Sequence, residues 1–138
     1  MKNDDKVFDI WNNEKKKTDK KNVKKVYINQ REIWFVKMGK NIGFEEDGKE
    51  NFLRPVLVLK KLGNMFWTVA MTSKGKDNNF YFKIEGNFNE NNQKYKNSSF
   101  LILSQVRVMD KKRFTENMGY VDKNEFEKIK EKLKTFLF

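Results

Sequence analysis

Cysteine and histidine are both absent from the 138 residues of this chain. Without cysteine there is no disulfide framework, no thiolate nucleophile and no zinc site built on sulfur. Without histidine the chain lacks the usual general base near neutral pH and the commonest metal ligand. Any catalysis therefore falls to carboxylates, hydroxyls, Lys, Tyr or Arg. Proline occurs once, as Pro55. No apolar run is long enough to cross a bilayer, and Met1-Lys2-Asn3-Asp4-Asp5 has no apolar stretch behind it. Together these absences predict a cytoplasmic protein with no membrane partner.

Arginine is also scarce. The chain carries 30 basic against 19 acidic residues, for a formal charge of +11, yet only Arg31, Arg54, Arg107 and Arg113 are arginine. The charge favours an anionic partner such as nucleic acid or an acidic protein. Heavy use of Lys, Asn and Phe is also what an AT-rich genome produces on any surface, so the excess alone is weakly specific. The four arginines are more informative, because a chain that spends Lys on bare charge keeps Arg where a planar bidentate fork is needed.

At this length the chain forms one domain with a modest core. Residues 4–21 read as a helix, with Asp4 and Asp5 at its start and Lys15-Lys16-Lys17 in its later turns. Its apolar stripe of Val7, Phe8, Ile10 and Trp11 can dock on the domain but not form a core. A solvated, Lys-rich linker follows, so residues 1–30 stand apart from a domain over 31–138. Residues 31–38 read as a strand, and residues 39–53 as a long loop of the kind that is functional or disordered. Residues 54–60 are apolar on both faces, as in a strand covered on both sides. Pro55 has no N–H for a ladder and belongs at the strand's first residue or on an edge. Gly63-Asn64 turns the chain into a hairpin partner over 65–72.

Residues 80–85 alternate, with Phe80, Phe82 and Ile84 inward, and the Asn-rich 86–97 reads as a surface loop. Another strand runs over 98–103 and continues or restarts over 106–109. The closing helix is the best marked, with Asp122 as cap, Glu125 at capping-box spacing, and Phe126, Ile129, Leu133, Phe136 and Leu137 on one face. Short strands, two long loops and terminal helices argue for a small, strongly bent β-barrel with helices packed outside, a mainly β arrangement of the α+β class.

The stretch Gly43-Phe44-Glu45-Glu46-Asp47-Gly48, then Phe52-Leu53-Arg54-Pro55-Val56-Leu57-Val58-Leu59, organises the rest. The residue before a proline is held extended, which puts Arg54 at the mouth of a buried strand beside a polar loop. A fixed guanidinium there can hold a phosphate or carboxylate. It can equally be stapled by Glu45, Glu46 or Asp47. At Thr72 and Ser73 the plain alternative is a turn in which the hydroxyls bond their own backbone.

Three blocks resemble the MazF/PemK family of type II toxins. Arg31-Glu32-Ile33-Trp34, the loop from Gly43 to Gly48 and Arg54-Pro55-Val56-Leu57-Val58-Leu59 are similar to the family's opening strand, its Gly-x-Glu-Gln loop and its Arg-Pro-Val-Leu strand. Val69-Ala70-Met71-Thr72-Ser73 is similar to its strand ending in Thr-Ser. Leu103 to Phe114, containing Gln105-Val106-Arg107 and Asp110-Lys111-Lys112-Arg113, is similar to its Gln-x-Arg … Asp-x-x-Arg-Leu block. The order and spacing of the blocks, more than any one of them, carry the resemblance.

The resemblance implies an SH3-like barrel of the MazF/PemK/CcdB type, a homodimer, and an acidic antitoxin partner. It also implies single-stranded RNA as substrate, cut without metal or cofactor by the RNA's own 2′-OH. Arg54 and Thr72 match the family's catalytic Arg and Thr, while Gln105 and Arg107 match positions along the RNA path. Ser73 and Phe44 are further candidates for RNA contact, Phe44 by stacking on a base. Phe44 can instead be a hydrophobic pin for its own loop. Glu45 is the candidate general base, since partial burial raises a carboxylate towards neutral pKa. Ile102 and Ser104 stand where one branch of the family carries an Arg and an Asp, so only the Arg54/Thr72 arrangement remains here. The competing reading is a non-catalytic RNA binder or a topoisomerase poison like the CcdB group, on the same barrel.

Overall fold

The computed structural model describes residues 26–38 and 52–138 of the chain. The helix expected over 4–21, its linker, and Phe44 and Glu45 in the expected loop lie outside the described residues. Among the described residues, β1 (Glu32–Lys37), β2 (Leu53–Leu62), β3 (Met65–Thr72), β4 (Tyr81–Ile84), β5 (Asn87–Phe88), β6 (Ser99–Asp110) and β7 (Phe114–Tyr120) precede one α-helix, α1 (Lys123–Leu137). The seven strands form one sheet in the order β4-β6-β3-β2-β1-β7-β5, and every pairing is antiparallel.

The two edge strands of that sheet are neighbours in sequence, joined only by Glu85 and Gly86. So short a link spans at most about 11 Å, so the sheet must curl until its edges approach. That closure gives the bent barrel expected from the strand pattern. Helix α1 is latched to the same link: the Glu125 carboxylate accepts N–H bonds from Glu85 at 2.6 Å and Gly86 at 3.0 Å. Asp122 caps the helix as expected, accepting from the Glu125 N–H at 2.8 Å. The capping box is therefore half made, because the Glu125 side chain serves the strand link instead.

Side chains alternate across the sheet and divide the core in two. Ile33, Leu57, Val69, Met71, Leu101, Leu103 and Met118 point to one face, where Phe126, Ile129 and Leu133 of α1 cover them. Trp34, Val36, Val56, Val58, Phe66, Met109 and Phe114 form a second cluster on the opposite face, closed by Ile28. β2 is buried on both sides at Val56, Leu57 and Val58, as its unbroken apolar run requires.

Several local expectations are corrected. Pro55 is the third residue of β2, an interior strand, and pairs with Phe35. The ladder to β3 begins only at Val56↔Ala70, so Pro55 has a paired strand on one side only and its missing N–H is tolerated. Phe80 is 52% exposed and meets the Phe136 ring at 5.6 Å, while Ile84 is fully buried. The Asn-rich stretch holds β5 and a 3-10 segment (Glu90–Tyr95) that buries Phe88 and Asn92. Strand β7 had no counterpart in the sequence reading.

Candidate functional site

Arg54 and Thr72 come from the two strands of one hairpin. The β2–β3 register runs Val58↔Thr68, Leu57↔Val69, Val56↔Ala70. The last pair is Val56↔Ala70, and the same register continued two residues to the open end would bring Arg54 opposite Thr72. Both lie on the sheet face opposite α1, since they share parity with Val56 and Ala70. On the other side of Arg54, β1 presents Val36, fully buried, as its cross-strand neighbour.

Arg54 is exposed, and its guanidinium carbon lies 4.7 Å from the centroid of the Phe52 ring. Glu45, Glu46 and Asp47, the acids weighed as its staple, lie outside the described residues. Thr72 is half-buried, and its Oγ1 accepts the Lys74 N–H at 3.1 Å. The local turn is therefore present. It occupies an acceptor lone pair and leaves the hydroxyl proton to donate. Ser73 is exposed beside it. A Cβ on Gly75 would fall 2.1 Å from Phe100 Cγ, so the turn lies directly against the Phe100 ring.

Phe100 pairs with Thr72 on one side and with Lys83 on the other. Thr72, Phe100 and Lys83 thus form one row across β3, β6 and β4, with Arg54 on β2 beyond its Thr72 end. At about 4.8 Å per strand the row is about 10 Å long, with the Lys83 cation at one end. Lys83 was not singled out from the sequence, because its place in this row depends on a pairing between strands far apart in the chain.

Gln105 and Arg107 are exposed on β6. Arg107 pairs with Thr68, whose buried hydroxyl donates to the Arg107 carbonyl at 3.0 Å. Between Val69↔Val106 and Met71↔Leu101, two steps along β3 face five along β6, so β6 bulges beside the Thr72–Lys83 row. Gln105 sits in that bulge, next to Ala70 by register. The structure therefore brings Arg54, Thr72 and Gln105 to one end of one sheet face, with Ser73 following Thr72 in the turn and Arg107 further along β6 opposite Thr68. Arg113 lies at the same end of the sheet, where its Nη1 donates to the Lys37 carbonyl at 3.1 Å. Arg31 lies elsewhere: its φ is 77° and its Nη1 donates to the Val121 carbonyl at 3.2 Å, a structural role. Among the described residues no three Asp, Glu, His or Cys side chains are grouped to hold a metal ion.

Among the described residues no helix is long and apolar enough to cross a membrane. No curated protein matches the chain in sequence. In fold it is similar to a MazF from Deinococcus radiodurans, at a TM-score of 0.60 and 16% identity, covering 82% of this chain and 98% of that one. It is similar also to an endoribonuclease solved in complex with its cognate antitoxin, from a mycobacterial species, at a TM-score of 0.56 and 11% identity, covering 80% and 95%. A MazE–MazF assembly from Deinococcus radiodurans gives 0.57 and 15%, covering 82% and 97%. At such identities these likenesses show a shared fold. A family model for the PemK-like, MazF-like toxins of type II toxin–antitoxin systems matches residues 29–137. With that match and an antiparallel sheet closed by a C-terminal helix, the chain belongs to that family.

Proposed function

We propose that the chain is a toxin acting as a sequence-selective, metal-independent endoribonuclease on single-stranded RNA. The observation that carries this reading is the position of Arg54 and Thr72 on the two strands of one hairpin, each two residues past the last pair Val56↔Ala70 at its open end. In the proposed step the 2′-oxygen attacks the adjacent phosphorus and forms a new P–O bond. The bond to the 5′-oxygen breaks, leaving a cyclic phosphate and a 5′-hydroxyl. Glu45 takes the 2′-proton, and the departing oxygen gains one from water. Negative charge grows on the phosphoryl oxygens during the attack, and fixed donors aimed at it stabilise the transition state. Arg54 is the cation that meets this charge and supports the leaving oxygen, being always protonated and never a base. Thr72 donates its hydroxyl proton to a phosphoryl oxygen. Gln105, Arg107, Ser73 and Phe44 hold the strand on either side of the cut.

The solved complexes of related toxins with antitoxins support an acidic antitoxin as the protein partner, and the +11 charge suits it. The homodimer expected from the family is part of the same reading. The test is incubation of purified protein with RNA in EDTA, followed by mapping of the product ends. Cyclic phosphate and 5′-hydroxyl ends, lost in Arg54→Ala while the protein stays folded, are expected. RNA bound but uncut by the unaltered chain would put a non-catalytic binder in its place.

A further inference from the structure

We propose that Phe52 is a positioning residue for Arg54, an aromatic platform that fixes the guanidinium plane while leaving its donors free for a phosphodiester. The inference rests on the ribonuclease reading of the Arg54 site and deepens it. Phe52 and Arg54 are two apart on an extended chain, so their side chains leave the same face. The 4.7 Å from guanidinium carbon to ring centroid is within the range of a cation–π contact.

What the ring does differs from what a carboxylate would do. A guanidinium has its five N–H donors in its own plane. A carboxylate partner engages those donors edge-on and competes with the phosphate for them. A ring whose centroid lies 4.7 Å from the guanidinium carbon presents no oxygen to those donors. It therefore restricts the rotamers of a long, exposed side chain at no loss of anion-binding capacity. Arg54 stands at a strand mouth with Thr72 on the facing strand of the hairpin, so restricting the fork there means the transition state need not order it.

Phe52 is itself held. Its carbonyl accepts the Met38 N–H at 3.0 Å, and the preceding carbonyl on that strand, Lys37, accepts from Arg113 at 3.1 Å. The platform is thus tied through backbone to β1, and Arg113 braces the same crossing from the β7 side. Arg113, unassigned from the sequence beyond its rarity, contributes to the site through this brace.

The experiment compares Phe52→Leu with Phe52→Tyr and Phe52→Trp. In cleavage assays Phe52→Leu is expected to lower kcat about two- to fivefold with KM unchanged. Phe52→Tyr and Phe52→Trp, which keep a π face, restore kcat. A merely structural role would instead track the melting temperature of each variant and show no preference for aromatic rings. In nitrogen-edited NMR, the Arg54 Nε–H resonance of the unaltered protein should carry an upfield ring-current shift that disappears in Phe52→Leu and persists with Tyr. An Arg54 resonance without that shift overturns the inference whether or not RNA is cut. So does a Phe52→Leu protein that cleaves like the original. A ring-current shift in a protein that cuts no RNA upholds the platform and removes the ribonuclease reading, so the two fail separately.

Discussion

Gly75→Ala tests whether the turn after Thr72 is held by contact with Phe100. The added Cβ would lie 2.1 Å from Phe100 Cγ and 2.4 and 2.5 Å from the two neighbouring ring carbons. Comfortable carbon–carbon contact begins near 3.5 Å, so a gap of about 1.4 Å must open. The near end of the ring is involved, so rotating the side chain does not relieve the clash. Nor can β6 retreat, since Phe100 is laddered to Thr72 and Lys83 on its two sides. The turn must therefore lift, and the 3.1 Å bond from Lys74 N–H to Thr72 Oγ1 goes with it. Overpacking of this kind costs about 1–3 kcal/mol. A displacement above 1 Å beside a reacting group lowers turnover by up to about a hundredfold. The assays are a thermal melt and RNA cleavage, with Gly63→Ala as control. Gly63 has open space around it but φ of +70°, so alanine there costs about 1–2 kcal/mol of strain and leaves cleavage alone. Adding Phe100→Leu to Gly75→Ala should restore part of both losses. A Gly75→Ala protein that melts and cleaves like the original would refute the packing argument.

Arg54→Lys keeps the charge but not the fork, and Arg54→Ala keeps neither. Since Arg54 is exposed on the sheet end, both should melt within a few degrees of the original, while Arg54→Ala loses about 10²–10³ in kcat and Arg54→Lys falls between. Lys83→Gln and Arg107→Gln should each flatten the slope of log affinity for single-stranded RNA against log salt by about 0.7, read by fluorescence anisotropy. Lys130→Gln should not, because Lys130 sits on α1 with Glu127 at 3.1 Å and away from that face. Ile129→Ala, fully buried between α1 and the sheet, should cost about 2–5 kcal/mol in denaturant unfolding.

Much of the fold was legible because its signals are local. The hairpin from Arg54 to Thr72 shows in two apolar strands around Gly63-Asn64, and α1 in its cap and the spacing of Phe126, Ile129 and Leu133. Arg54 and Thr72 could be placed together because one hairpin carries both. Strand β7 was missed because Glu116, Asn117 and Gly119 are poor strand formers, and only pairing with β1 and β5 makes the segment extended. The same holds for Phe88 and Asn92, buried by tertiary contacts in a stretch whose composition reads as loop. Pro55 misled because edge and interior are properties of each side of a strand, residue by residue. Lys83 and Phe52 depend on which side chains share a face. For Lys83 the needed pairing lies across β6, while for Phe52 the two-residue spacing to Arg54 was the available signal.

The common hairpin origin of Arg54 and Thr72 has a consequence for how the family can vary. Residues added at its tip, around Gly63-Asn64, lengthen the turn and leave the facing pair undisturbed at the far end. A single residue inserted within either strand slides one partner along by about 3.3 Å and turns its side chain to the opposite surface. Changes of length are therefore free at the tip, whereas along the arms they must be absorbed by a bulge such as the one between Val58 and Lys60, or the pair is lost as a unit.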